Sequence, residues 1–373
     1  MIYLDYSAHT PADEEVLSVF CEIERRFIGN ANSVHEAGNA ARTEMARITD
    51  SIATALSVLP SEIIYTSGAS EANNTAIRGI ARAQRHIGKH IIASALDHPS
   101  ASATLTHLQE MGYEIDLVGI TREGKVDLDA LSELLRKDTI LVVLTAVDSE
   151  LGTVQPVSAV RDLLKNYPDC RLHVDATQAV GKIPFSFAEA DTACFAPHKF
   201  YGLCGTGILV KKEKIPMEPL IYGGAGTTLY RSGTPTVGLA ASTEKALWKA
   251  QENLSENLSH VTKLNETLRE FFKNYPLVRI NSPADAVPHI INVSVAGVRG
   301  VKFREKLNEH GVCVSVKSAC SSDGLPSRAV MAVSGDRKNA LSSFRISLGA
   351  VTTEEEILQF QTIFDLCYRE LTK

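Results

Sequence analysis

Ile140-Leu141-Val142-Val143-Leu144 is an uninterrupted apolar run, preceded by Asp138-Thr139 and followed by Thr145. Five apolar residues without alternation suit a strand buried on both faces, as in a parallel sheet covered by helices on each side. Outward from this run the chain exchanges two periods. Toward the N-terminus, residues 63–65, 90–94 and 113–118 read as strands, while helical spacing fills 71–84, 100–111 and 128–135. Toward the C-terminus, Leu172-His173-Val174-Asp175, Ala193-Cys194-Phe195 and Ile208-Leu209-Val210 give further short apolar segments. Such repetition predicts a layered α/β domain with a largely parallel sheet.

The two ends of the chain read differently. Residues 2–6 form a short strand, and Pro11 with Asp13-Glu14-Glu15 suits a helix start. The glycine- and asparagine-rich residues 29–35 predict a shaped loop, and a helix over 36–59 is closed by Pro60. Residues 235–272 are mainly helical. Beyond them, 290–295, 312–316 and 344–348 read as strands, with a helix between the first two. A last helix is opened by Thr353 and Glu356 at the spacing of a reciprocal cap. The expected division is a large α/β domain over 13–250 and a smaller α+β domain from 1–12 and 251–373.

Composition narrows the class of function. The 373 residues carry 38 Lys and Arg against 44 Asp and Glu, a net charge of −6. That balance gives no general attraction for nucleic acid or an acidic membrane surface. The seven cysteines are scattered, odd in number and free of any CxxC pair. They suit neither a disulfide scaffold nor a closed zinc site, so no metal is expected and a cytoplasmic location is favoured. Met1-Ile2-Tyr3-Leu4-Asp5-Tyr6 lacks the marks of a secretion signal, and no apolar stretch reaches membrane-spanning length.

Several residues invite chemistry, each beside a plainer role. Lys199, in Ala196-Pro197-His198-Lys199-Phe200-Tyr201-Gly202, lies between a strand and a glycine-rich turn, where its amine can attack a carbonyl or simply face water. Thr66-Ser67-Gly68-Ala69-Ser70 joins a strand to a helix, a place for a phosphate on unpaired N–H groups or for a routine capped turn. His98 can sit above a planar ligand or in solvent. Asp175 can pair with a protonated ring nitrogen and Gln178 can donate to a ring oxygen, or the carboxylate can merely open a helix. Arg231-Ser232-Gly233-Thr234 is a second anion candidate. Arg345 suits a substrate carboxylate or a strand-edge ion pair. Cys320, in Ser318-Ala319-Cys320-Ser321-Ser322, reads as an accessible thiol able to attack sulfur.

Taken together, these pieces resemble the cysteine desulfurase family, pyridoxal-phosphate enzymes of the class V aminotransferase group. The likeness runs through Tyr3 to Tyr6, Ser33-Val34-His35, Thr66 to Asn74, Asp97 to Ser100, Glu150 to Pro156, His173 to Gln178, His198-Lys199, Arg231 to Thr234, Ser318 to Ser322 and Phe344 to Gly349. The resemblance implies a fold type I transferase with a mostly parallel seven-stranded sheet, acting as a homodimer on L-cysteine. It implies that Lys199 links to the aldehyde of pyridoxal 5'-phosphate, that His98 stacks on the ring, and that Asp175 and Gln178 contact the ring nitrogen and phenolic oxygen. Ala69, Ser70 and His198 match phosphate positions, and Thr234 would reach the partner's phosphate. Arg345 matches the substrate-carboxylate position. Cys320 matches the sulfur acceptor that forms a persulfide for a scaffold or carrier protein, with L-alanine released.

The chain departs from that pattern at Asp148-Ser149, where an asparagine pair is usual, at Ala196, where a serine is usual, at Gly224 to Thr228, and at Lys317, where a glycine is usual. These changes keep open a related selenocysteine or cystine lyase, another pyridoxal-phosphate amino-acid enzyme, or a catalytically weak member acting as an interaction protein.

Overall fold

Residues 1–224, 227–317 and 324–373 are described by a computed structural model. After the short strand Ile2–Tyr3 (β1) come Ile63–Thr66 (β2), His90–Ser94 (β3), Glu114–Val118 (β4), Thr139–Thr145 (β5), Arg171–Asp175 (β6), Thr192–Phe195 (β7) and Gly207–Lys211 (β8). These last seven form one sheet in the order β2-β8-β7-β6-β5-β3-β4. Every residue of β5 is buried, and it pairs in parallel with β3 and β6. The predicted two-sided burial is therefore met at the middle of the sheet.

Helices supply the covering layers. Glu14–Arg26 (α1) and Glu36–Leu56 (α2) pack with a later helix, Val237–Glu252, while Ala69–Ala83 (α3) packs with Pro99–Glu110 (α4). One face of the sheet buries Val142 and Leu144 with Ile48 and Ile52 of α2. The other buries Leu141 and Val143 with Ile77 and Ile80 of α3. Each such aliphatic side chain contributes about 1.5–3 kcal/mol relative to exposure.

A separate apolar cluster is built from both chain ends. Val278–Ile280 (β9), Ile290–Val295 (β10) and Ser343–Ser347 (β12) form an antiparallel sheet in the order β12-β10-β9, and Val312–Cys313 (β11) pairs in parallel with β1. Phe303 stacks on Phe344 at 5.0 Å between ring centroids. The first residues thus belong to this cluster, and the chain then passes Asp5, which bridges Ser347, toward the central sheet.

Local readings differ in instructive places. Strand β8 runs antiparallel to both neighbours, because residues 196–206 are too few for a parallel crossover. Helix α2 stops at Leu56, where Ser57 turns left-handed at φ 56°, so Pro60 opens a 3-10 turn and does not close the helix. The long helical stretch is two helices, Val237–Glu252 and Leu254–Phe272. Pairing over 312–316 is confined to β11 and a bridge from Ser315 to Arg345. Strand β9 and the short helices Val157–Leu164, Arg328–Ser334 and Arg337–Ser342 were not expected, having too few residues to show a period.

The turn from β3 into α4 carries a buried carboxyl. Asp97 Oδ2 accepts from the Ser94 amide at 2.9 Å, while Oδ1 is buried without a partner among the described residues. Burial, with Asp175 adding repulsion, pushes this group up to about 8. A native carboxyl that stays protonated while its unfolded counterpart ionises loses stability as pH rises toward 8, and the loss then levels off. Asp97→Asn is therefore expected to stabilise the protein by at least about 1 kcal/mol at pH 8 and by less at pH 5. Urea unfolding at the two pH values checks this; a gain that is equal at both, or larger at pH 5, contradicts it.

Candidate functional site

One cavity of about 340 Å³ opens at the C-terminal ends of the parallel strands, where α/β sheets place their ligands. Strand β6 delivers Asp175, and the turn after it delivers Gln178. The connection after β7 forms a single 3-10 turn, Pro197–Lys199, which delivers His198 and Lys199. Helix α3 points its N-terminus at the same space through Gly68, Ala69 and Ser70, and α4 starts at His98. Arg345 comes from β12 of the other sheet. Eight of the expected residues, Ala69, Ser70, His98, Asp175, Gln178, His198, Lys199 and Arg345, thus share one cavity.

Backbone restrictions fix the lysine. A Cβ at Gly202 would lie 2.3 Å from Pro197 Cβ, so only glycine closes this turn. Tyr201 adopts φ 69° and is held there by Thr10 Oγ1 accepting from its amide at 2.7 Å and by the Ala350 amide donating to its hydroxyl at 2.7 Å. Lys199 Nζ in turn donates to the carbonyls of Ser7 at 2.8 Å and Ala8 at 2.6 Å.

Asp175 rests on a polar network that sequence reasoning did not single out. Its Oδ2 accepts from Asn73 Nδ2 at 2.8 Å, and Oδ1 accepts from the Thr177 amide at 3.0 Å. Asn73 Oδ1 faces His173 Nε2 at 2.9 Å, so that nitrogen carries the proton, while His173 Nδ1 lies 2.8 Å from Thr192 Oγ1. Burial holds His173 down to about 4, against the pull of Asp175. The available signal was Asn73 itself: an amide among Ala72, Ala76, Ile77 and Ile80 on the buried face of α3 must find partners.

His98 is similarly defined. Its Nδ1 accepts from the Ser100 amide at 3.2 Å, which leaves the proton on Nε2. Burial is the main influence lowering its pKa, and Lys199 and Arg328 act the same way against Asp175. His198 is held down to about 4 by burial and then by Lys199, His9 and Lys182. Both imidazoles are thus shifted toward the neutral form.

Arg345 is almost wholly buried. Its Nη1 donates to the Ser149 carbonyl at 2.7 Å and its Nη2 to Asp5 Oδ1 at 2.8 Å, while Nε is buried without a partner among the described residues. The bidentate fork expected for a carboxylate is thus shared with internal acceptors. Ser149 lines the cavity, whereas Asp148 turns its Oδ1 onto the amides of Glu150 and Leu151. Burial and Glu150 raise the Asp148 carboxyl to about 7.

The remaining expectations fall elsewhere. Arg231 does not line the cavity; it pairs with Glu71 at 2.9 Å, and Glu71 Oε2 accepts from the Ser67 amide at 2.8 Å. Thr234 is exposed and does not line the cavity. Cys320 lies outside the described residues, as do residues 225–226 of the glycine-rich stretch. Lys317, which stands where a glycine is usual, is buried and donates to the Leu325 carbonyl at 2.9 Å.

Chemically, the cavity offers a primary amine, a carboxylate at a strand end and an anion-binding helix start. Helix α3 begins at Gly68 with no side-chain cap, so its first N–H groups are available to an anion. Ser7 Oγ and Thr177 Oγ1, both from cavity-lining residues, are buried without partners among the described residues. An aromatic carbonyl compound bearing a phosphate fits this donor set.

Comparison with known proteins agrees. The aminotransferase class-V profile matches residues 2–360. The cysteine desulfurase IscS of Dictyoglomus turgidum is 37% identical over 361 residues, which cover 95% of this chain and 91% of that protein. A solved NifS-like protein is 33% identical, superposes with a TM-score of 0.92 and covers 98% of both chains. A structure of SspA in complex with cysteine is 26% identical, with a TM-score of 0.82 over 95% of this chain and all of that one. With its sheet order, its lysine turn and these likenesses together, the chain belongs to the class-V aminotransferase family, among the cysteine desulfurases of the NifS and IscS type.

Proposed function

We propose that this protein is a pyridoxal-phosphate-dependent cysteine desulfurase, converting L-cysteine to L-alanine and leaving the sulfur on Cys320 for an acceptor. The observation that carries the reading is the convergence of Lys199, Asp175, His98 and Arg345 on one cavity. Pyridoxal 5'-phosphate, when bound, supplies an aldehyde for an amine and a ring that withdraws electrons from the substrate carbon. Lys199 would hold that aldehyde. Asp175, fixed by Asn73 and Thr177, is suited to keep the ring nitrogen protonated. The amides that open α3, with Ser70 and His198, would take the phosphate, and Ala196 is wholly buried and offers it nothing.

Substrate handling follows from the other groups. Arg345 would orient the cysteine carboxylate through the second N–H of Nη1 and of Nη2, and Ser149 stands at the same wall. Lys199 would be the base for the substrate's α proton, while His98, with its proton on Nε2, would assist as a donor. The Cys320 thiolate then attacks the substrate sulfur: an S–S bond forms, the C–S bond breaks, and the electron pair left on carbon is protonated to give L-alanine. The exposure of Thr234 supports a role in a partner subunit's cavity within a homodimer. The sulfur acceptor is a scaffold or carrier protein. Among the described residues no helix is long and apolar enough to cross a membrane, and we assign the protein to the cytoplasm.

Cofactor-loaded protein incubated with L-cysteine and a thiol reductant should form alanine and sulfide in equal amounts. In Cys320→Ala both are expected to fall by at least roughly 100-fold while cofactor absorbance persists; undiminished products in the variant would remove Cys320 from its role.

Arg345→Lys tests the substrate end. A lysine cannot reproduce the guanidinium's contacts with Ser149, Asp5 and a carboxylate together, so KM for L-cysteine should rise by roughly tenfold or more, with a smaller change in kcat. An unchanged KM would assign the carboxylate to another residue.

A further inference from the structure

Lys182 is the cation that neither the sequence pattern nor the proposed chemistry uses. It ends the turn that follows β6 and is only 6% exposed. Among the described residues its Nζ has one hydrogen-bond partner, Gln178 Oε1 at 2.5 Å, and no carboxylate lies within ion-pair distance of it. Burying an unpaired ammonium is costly, and burial together with Lys199 and Arg345 lowers this amine well below the ordinary lysine range. The titratable groups that share its field are Lys199, Arg345, His198 and His289, all of them basic. A purely structural position would be served better by an apolar chain.

What Lys182 does accomplish is to settle the Gln178 amide. That amide has two defined neighbours, Lys182 Nζ and the Ser7 carbonyl, the latter accepting from Nε2 at 2.9 Å. Rotated by a half-turn, the NH2 would face an amine donor and Oε1 would face a carbonyl, so only one orientation satisfies both ends. The Ser7 carbonyl also accepts from Lys199, which links the amide and the reactive amine through one oxygen. Gln178 lines the cavity, so the orientation decides whether it offers a proton or a lone pair there.

We propose that Lys182 is a positioning residue that locks Gln178 with its NH2 toward the cavity, as a donor to the anionic oxygen of the cofactor ring. This rests on the pyridoxal-phosphate reading given above. Without Lys182 the amide is held at its Nε2 end alone, by the Ser7 carbonyl, and the fraction of molecules that present Oε1 to that oxygen rises, replacing a donor by a repulsion. A donor at the oxygen favours release of the proton shared between it and the Lys199 nitrogen. Its loss therefore raises the pH at which the absorbance of the lysine-linked cofactor changes.

The test is a double-mutant cycle on that absorbance, titrated against pH, for the native protein, Lys182→Met, Gln178→Ala and the double variant. Each single variant should raise the midpoint by roughly one unit and weaken cofactor binding roughly tenfold, and the double variant should go no further than Gln178→Ala. Cofactor-free thermal unfolding of each variant reports any structural effect separately, and Lys182→Leu replaces Lys182→Met should the latter not fold. A midpoint unmoved by the Lys182 change, with Gln178→Ala shifted, overturns the proposal. So do additive shifts, or failure of both Lys182 variants to fold, which would make the role structural. No lysine-linked absorbance in the native protein would instead overturn the cofactor reading itself.

Discussion

Three basic side chains meet at one site, and accommodating them is the constraint on which the rest depends: the half-buried Lys199 and the buried Arg345 line the cavity, and the buried Lys182 reaches it through Gln178. Arg345 pairs with Asp5. The two lysines are satisfied through neutral oxygens, Ser7 and Ala8 carbonyls for one and the Gln178 amide for the other. Hydrogen bonds to carbonyls compensate burial without neutralising charge, which leaves these side chains suited to anionic ligands. The proposed phosphate, phenolic oxygen and substrate carboxylate are each anions of this kind.

The first ten residues explain how two separate cores meet at that cavity. Ile2 and Leu4 are buried in the C-terminal cluster, Asp5 holds Arg345, Ser7 and Ala8 hold Lys199, and Thr10 holds the backbone of Tyr201. Successive residues therefore alternate between packing one core and fixing the chemistry of the other. A shift of this segment would displace the lysine and the arginine together, so in the proposed roles the two ends of the site would respond as one.

Much of the fold was legible because apolar periodicity reports burial directly, as in β3, β5 and β10. The antiparallel β8 was missed because strand direction depends on connection length, which the apolar run Ile208-Leu209-Val210 does not display. The candidate site was legible where reactive residues sit at strand and helix ends: Lys199, Asp175, His98 and the Gly68 turn. It was illegible where meaning arises from partners distant in sequence. Asn73 meets Asp175 across 102 residues, and Gln178 meets Ser7 across 171. Lys182, beside Gly181, reads as an ordinary turn lysine until its partner is seen. Arg231 likewise has a partner distant in sequence, Glu71, which its own stretch does not announce.

The proposed function stands on Lys199, and not the nearby Lys182 behind Gln178, being the amine that bonds to the carbonyl cofactor. The direct measurement is borohydride reduction of protein loaded with pyridoxal 5'-phosphate, followed by peptide mapping of the modified lysine by mass spectrometry. The account predicts a single stoichiometric adduct on Lys199. An adduct on Lys182, or unmodified protein after reduction, would contradict it.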